Sequence, residues 1–197
     1  MSSGRNRHGL LAGKRKALVE LLQQDGRMSL TELGRRLGIS HVGVKKHLQK
    51  LLSSGLLSIK ASLSPEKLRV KLLVLLCEVE HDKLLNIMHV FKECPRMVML
   101  TTLIGSYNLM AVMVAEAPGL LKIMALGACC LRRMEGIRRS ELYVIEDLLY
   151  PEALPIRVST QKKAELTPCG LDCGSCDFYV RGECPACPAT RWYKGPL

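Results

Sequence analysis

The sequence is short of negative charge. Its 197 residues hold 18 Asp and Glu against 29 Lys and Arg, a formal net charge of +11. It also lacks an unbroken membrane-length apolar run. Met97 to Ala115 carries no charge, but its middle reads Gly105-Ser106-Tyr107-Asn108, a turn signal. The flanking halves, Val98 to Ile104 and Leu109 to Val114, have strand length, so the sequence predicts a β-hairpin and not a transmembrane helix. No secretory leader is expected either. Met1 to Gly13 is basic and Gly/Ser-containing and has no apolar centre, which leads to the expectation of a cytoplasmic protein with no membrane partner. No clustered His, Asp or Glu motif suited to catalysis is visible, so the expectation is a non-enzyme.

What is present is unevenly distributed. Residues 1–66 carry a net +8, residues 67–160 a net +2, and residues 161–197 a net +1. A polyanion is expected to dock on the first third. Hydrophobic residues make up 48%, enough for packed cores. The chain divides into a basic flexible tail (1–12), a winged helix-turn-helix (13–62), an alternating strand–helix segment (66–150) and a cysteine-rich segment (160–197). A Pro-punctuated linker containing Pro151 and Pro155 precedes the last.

In the first segment Ala17, Leu18, Leu21 and Leu22 recur at helical spacing, and Asp25-Gly26-Arg27 ends that helix. Ser29 with Glu32 three residues on is a capping box for a second helix, whose inner face is Leu30, Leu33 and Leu37. Gly38-Ile39-Ser40 is a tight turn. Ser40 starts a third helix with Val44, Leu48 and Leu51 inside, and Leu56 to Ala61 reads as a short wing strand. Helix, three-residue turn and helix with a basic outer face make a helix-turn-helix. The third helix fits the major groove of double-stranded DNA, its early residues meeting base edges and its lysines meeting phosphates. The candidate contacts are Ser40, His41, Val42, Gly43, Lys45, Lys46, His47, Gln49 and Lys50, joined by Arg27, Arg35, Arg36 and, on the wing, Lys60.

In the second segment Val70 to Val79 reads as a strand. A helix follows from Glu80-His81-Asp82 to about Lys92, then the hairpin, then a helix from about Leu120 to Arg133 closed by Gly136. A last strand spans Ile137 to Asp147. The order β-α-β-β-α-β is the split βαβ, or ferredoxin-like, arrangement, giving an α+β fold class. Two helices cover one face of such a sheet. The other face needs a cover, most simply a second copy, and a homodimer or higher homo-oligomer also suits a reader of two half-sites.

Over residues 14–150 the sequence resembles the leucine-responsive/asparagine-regulator (Lrp/AsnC) family of transcription factors. The residues that carry this are Leu21-Leu22-Gln23-Gln24-Asp25-Gly26-Arg27, Leu30-Thr31-Glu32-Leu33, Leu37-Gly38-Ile39-Ser40, Leu63-Ser64-Pro65-Glu66-Lys67-Leu68 and Gly105-Ser106-Tyr107-Asn108-Leu109. The resemblance implies a winged helix-turn-helix joined to a dimerising αβ-sandwich. It also implies a small-molecule effector, often an amino acid, near Gly105, Tyr107 and Asn108. Members commonly have Asp where this chain has Asn108, and Arg where it has His47. Related folds in siroheme-processing proteins make an enzyme one alternative, and an adaptor of the transcription machinery is another.

The tail reads Cys169-x3-Cys173-x2-Cys176-x7-Cys184-x2-Cys187, a spacing for one metal centre. Zinc on Cys173, Cys176, Cys184 and Cys187 is the first reading. A [4Fe–4S] cluster using Cys169, Cys173 and Cys176 with Cys184 or Cys187 is the alternative. Large apolar residues are few in this tail, so metal is expected to hold it folded. Cys77, Cys94 and the adjacent Cys129 and Cys130 read as small hydrophobes.

Overall fold

The computed structural model describes residues 11–127 and 130–197. The chain forms two compact units, Met1–Lys60 and Ala61–Leu197.

The first unit is helical. Helix α1 spans Lys14–Gln24, α2 Leu30–Leu37 and α3 His41–Ser53. Leu18, Leu33, Leu37, Val44 and Leu51 form its core, the apolar face expected from 3.6-residue spacing. Ser29 Oγ accepts from the Glu32 amide at 3.1 Å, and Ser40 Oγ accepts from the Gly43 amide at 3.2 Å. Each such cap stabilises its helix by about 1 kcal/mol. Gly38 ends α2 in the left-handed region at φ 63°, turning the chain into α3.

Gly34 is where α2 meets the turn. A Cβ there would lie 2.6 Å from the Ile39 carbonyl oxygen, a backbone atom that cannot swing away. Gly34→Ala therefore lowers the melting temperature of this unit, at a cost of about 1–3 kcal/mol from overpacking. Helix propensity alone would favour Ala by about 1 kcal/mol. A variant that melts higher than the parent, followed by circular dichroism, would show that the close approach carries no weight.

The expected wing strand is not formed. Residues 56–60 are irregular, and the Leu57 amide returns to the Leu51 carbonyl at 3.2 Å. A strand needs a ladder partner, and the described residues of this unit offer none.

The second unit holds a four-stranded sheet. Strand β1 spans Lys71–Val79, helix α4 Leu84–Glu93, β2 Met97–Thr102, β3 Leu109–Ala115, α5 Pro118–Ala125 and β4 Ile137–Ile145. The sheet order is β2-β3-β1-β4, and every neighbouring pair is antiparallel. This is the ferredoxin-like arrangement. Leu73, Leu75 and Cys77 of β1 and Leu109, Ala111 and Met113 of β3 bury against Ile87 and Phe91 of α4 and Leu120 and Met124 of α5. Alternate residues share a face because the strand period is two.

Three boundaries differ from expectation. Helix α5 stops at Ala125 and not near Arg133, because Gly127 takes φ 72° and its amide returns to Met124. A separate 3-10 turn covers Cys130–Arg133. Helix α4 begins at Leu84, since Glu80 and Lys83 close a turn first. Strand β4 ends at Ile145 and not Asp147. The pair Cys129 and Cys130 lies outside the residues whose side chains are described.

The cysteine-rich tail belongs to this second unit and is not a separate body. Ile156, Tyr193 and Leu197 pack on Leu72 and Val114, so the tail closes one end of the sheet face opposite the helices. At the other end Val74, Leu76, Met110 and Val112 stay half-buried, and Met99 and Tyr143 are exposed.

Candidate nucleic-acid interface and cysteine-lined cavity

The helix-turn-helix candidates were expected to share one outward face. Helix α3 turns Val42, Lys45, Lys46, Gln49 and Lys50 to solvent, while Val44 and Leu51 face the core. Val42 is 61% exposed. No acidic residue lies in the first turn of α3, so the positive end of the helix dipole is unopposed there. Ser40 and His41 are exposed at that end, and Ser40 is occupied as the cap. Gly43 and His47 are half-buried on the flanks.

Arg35 and Arg36 are exposed but engaged. Both bind the Glu32 carboxylate at 2.7 Å. Arg35 first, and then Arg36, hold the Glu32 carboxyl down at about 2. Glu32 therefore supplies only the amide half of the expected capping box; its carboxylate faces the arginines. Arg27 is exposed beside Asp25, and Lys60 is exposed at the end of the unit.

The hairpin residues divide by role. Gly105 is exposed with open space where a side chain would stand. Tyr107 lies half-buried with the Arg139 guanidinium 5.1 Å from its ring centroid. Its hydroxyl is buried and makes no hydrogen bond of normal geometry, yet it adjoins Glu141. Tyr107, Tyr143 and Arg139 together hold the Glu141 carboxyl at about 2. Only the Tyr143 and Arg139 bonds to Glu141, both 2.5 Å, have full geometry.

Asn108 is committed to the sheet. Its Oδ1 accepts from the Val79 amide at 2.8 Å and its Nδ2 donates to the Val79 carbonyl at 2.7 Å. Its own amide donates to Cys77 O at 3.0 Å. This clamp holds the end of β1 where its register against β4 shifts. A carboxylate cannot donate to Val79 O, which gives Asn a structural reason here. Asn108→Asp is expected to lower the stability of the sheet unit by about 1–3 kcal/mol, the cost of a buried acceptor without a donor. Chemical denaturation of the two proteins checks this, and equal midpoints would rule out the clamp.

The five tail cysteines are brought together. Cys169, Cys173, Cys176, Cys184 and Cys187 all line one cavity of about 270 Å³ against α4, β3 and α5. Cys94, read from sequence as a bland helix-end residue, lines the same wall. These six and Cys77 form no disulfides. Burial pushes the Cys187 thiol up to about 11 and the Cys77 thiol likewise. Burial also raises Cys173, against the pull of the Cys187 amide and the Thr190 hydroxyl.

Sequence reasoning missed the anchor of this cavity. Arg96, 5% exposed, stands just before β2. Its Nε lies 3.0 and 2.9 Å from the two oxygens of Glu116, and its Nη2 lies 2.5 Å from Oε1. Nη2 also donates to the Ala186 carbonyl, inside the Cys184–Cys187 turn. Ala186 takes φ 67°, a left-handed conformation a non-Gly residue seldom adopts. A Cβ on Gly119 would overlap the Glu183 carbonyl, so α5 and the tail touch backbone to backbone. Nothing in the spacing of Arg96 and Glu116 announces a pair. Only the sheet brings residues 20 apart into contact.

Residues 11–58 match the family model described as winged helix-turn-helix DNA-binding. Over 54 residues the chain is 39% identical to the proline dehydrogenase transcriptional activator of Rhizobium radiobacter. That stretch is 27% of this chain, and the chain spans about a third (35%) of that protein. Among solved structures, a transcriptional regulator of Neisseria meningitidis in complex with L-Met is similar at TM-score 0.63 and 17% identity, over 72% of this chain and 94% of that one. AsnC of E. coli is similar at TM-score 0.60 and 12% identity, over 71% and 95%. The leucine response regulatory protein of Mycobacterium tuberculosis is similar at TM-score 0.60 and 18% identity, over 72% and 97%. The fold is thus of the Lrp-like α+β kind. Among the described residues no helix is long and apolar enough to cross a membrane.

Proposed function

We propose that this chain is a DNA-binding transcription regulator of the Lrp/AsnC type that works as a homodimer or larger homo-oligomer. The observation that carries the reading is the outer face of α3, with Val42, Lys45, Lys46, Gln49 and Lys50 exposed on a Ser40-capped helix whose first turn has no acid. Lysines at such positions meet phosphates, and an exposed valine suits the methyl group of thymine. The Rhizobium and Neisseria relatives are transcription regulators, which sets the enzymatic alternative aside.

Three finer elements belong to the same reading. The half-exposed apolar end of the sheet, around Val74, Leu76, Met110 and Val112, supports pairing with a second copy. Two paired units would read half-sites about 34–36 Å apart. A small effector, an amino acid by analogy with the L-Met complex of the Neisseria relative, is assigned to the hairpin near Gly105 and Tyr107. The side chain of Asn108 is left out of that site, because Val79 takes both its ends. The cysteine tail holds a metal centre that gates DNA binding. Its support is the convergence of five cysteines on one cavity in the sheet unit.

The test is a mobility shift on the chain's own promoter fragment across a range of salt. Binding whose log K falls linearly with log salt, by about 0.9 per phosphate contact, is the expected result. No shift at low salt on this or other promoter DNA would end the regulator reading.

A further inference from the structure

The cavity says more about its occupant than the spacing of the cysteines does. A single zinc ion holds thiolates at about 2.3 Å in a tetrahedron, which draws four sulfurs into mutual contact. Among the described residues, no three Cys, His, Asp or Glu side chains converge closely enough to hold one ion. Instead the five tail thiols stand around about 270 Å³ of space. Such an arrangement suits a group with a body of its own, whose metal atoms lie at its corners and each take one thiolate.

We infer that this cavity holds a [4Fe–4S] cluster ligated by Cys169, Cys173, Cys176 and Cys187. The inference deepens the metal-centre element of the proposed function and rests on it. Cys169-x3-Cys173-x2-Cys176 supplies three corners from one short loop. Cys187 is the fourth because it is buried in the cavity wall with its carbonyl held by the Thr190 amide and hydroxyl, both at 2.9 Å, whereas Cys184 is only half-buried. Cys184 also lines the cavity, as a fifth thiol beside a four-cornered group.

The surroundings fit such a group on two counts. Val90, Met113, Ile123 and Phe178 make much of the wall apolar, which keeps water from the cluster. Arg133 also lines it, and its guanidinium compensates part of the net negative charge of a cluster with four thiolates, while Arg96 is already paired with Glu116.

The experiment is anaerobic purification of the full chain, followed by iron, sulfide and zinc analysis, the visible spectrum, and electron paramagnetic resonance after dithionite. About four iron and four sulfide per chain with a broad visible absorption is the expected result. Stoichiometric zinc with no iron overturns the cluster and leaves the metal-centre reading standing. No metal of either kind, also after anaerobic reconstitution with iron and sulfide, overturns both. Cys187→Ser should lose or alter the cluster signal, and Cys184→Ser should keep it. The reverse pattern would overturn the ligand assignment. Thermal melting of both variants separates loss of the cluster from loss of the fold.

Discussion

Replacing Arg96 with Met is expected to destabilise the sheet unit by about 3–5 kcal/mol, because it strands a buried charge. The Arg96 and Glu116 side chains are 6% and 0% exposed, and the guanidinium binds both carboxylate oxygens. Removing one partner leaves a carboxylate buried without a counter-charge. The pair itself is not what makes the fold stable. Replacing both residues together by apolar ones of similar size, as in Arg96→Met with Glu116→Leu, should restore most of the loss. Denaturant titration of the single and double variants measures this. A single variant within about 1 kcal/mol of the parent would contradict the burial of the pair. The double variant also separates two roles. It keeps the sheet but removes the donor to Ala186, so the Cys184–Cys187 turn should loosen, and a metal bound there as proposed should exchange faster with a chelator.

The second large effect is on DNA. Lys45, Lys46 and Lys50 replaced together by Ala should weaken binding by roughly 3 kcal/mol, about 150-fold at low salt. The salt slope should fall by about 3, roughly one per lost phosphate contact, and the loss should be similar for every sequence tested. These lysines are exposed and none is part of the core, so the melting temperature should hold. An unchanged salt slope would place the DNA elsewhere on the protein. Val42→Ala is the contrast. It removes no charge, so it should leave the slope alone and change the preference for sites with thymine facing α3.

Much of the first unit and of the hairpin was legible in the sequence because it depends on near neighbours. Ser29 and Ser40 cap helices three residues away, and a three-residue reach needs no tertiary structure. Gly105 to Asn108 interrupts an uncharged run, and a hairpin follows from local turn preference. The basic first third follows from counting. Helix ends were less legible where two stops compete. Gly127 ended α5 before Gly136 could, and both take positive φ. The wing failed as a strand because strand formation depends on a partner, which no short stretch of chain can announce.

Sequence alone therefore determined the order of the main helices and sheet strands, the Ser29 and Ser40 caps, the exposed lysine face of α3 and the presence of a cysteine cluster. Each of these is set by periodicity or by contacts a few residues apart. Only the tertiary structure decided that Asn108 clamps Val79, that Glu32 occupies Arg35 and Arg36, and that Cys94 joins the cavity wall. It also decided that Arg96 ties β2 to Glu116 and to the cysteine turn 90 residues away. Hydrogen bonds and ion pairs between distant residues exist only once the sheet has set their distance. The same side chains in an unfolded chain are solvated separately, and their types carry no record of which partner burial will give them.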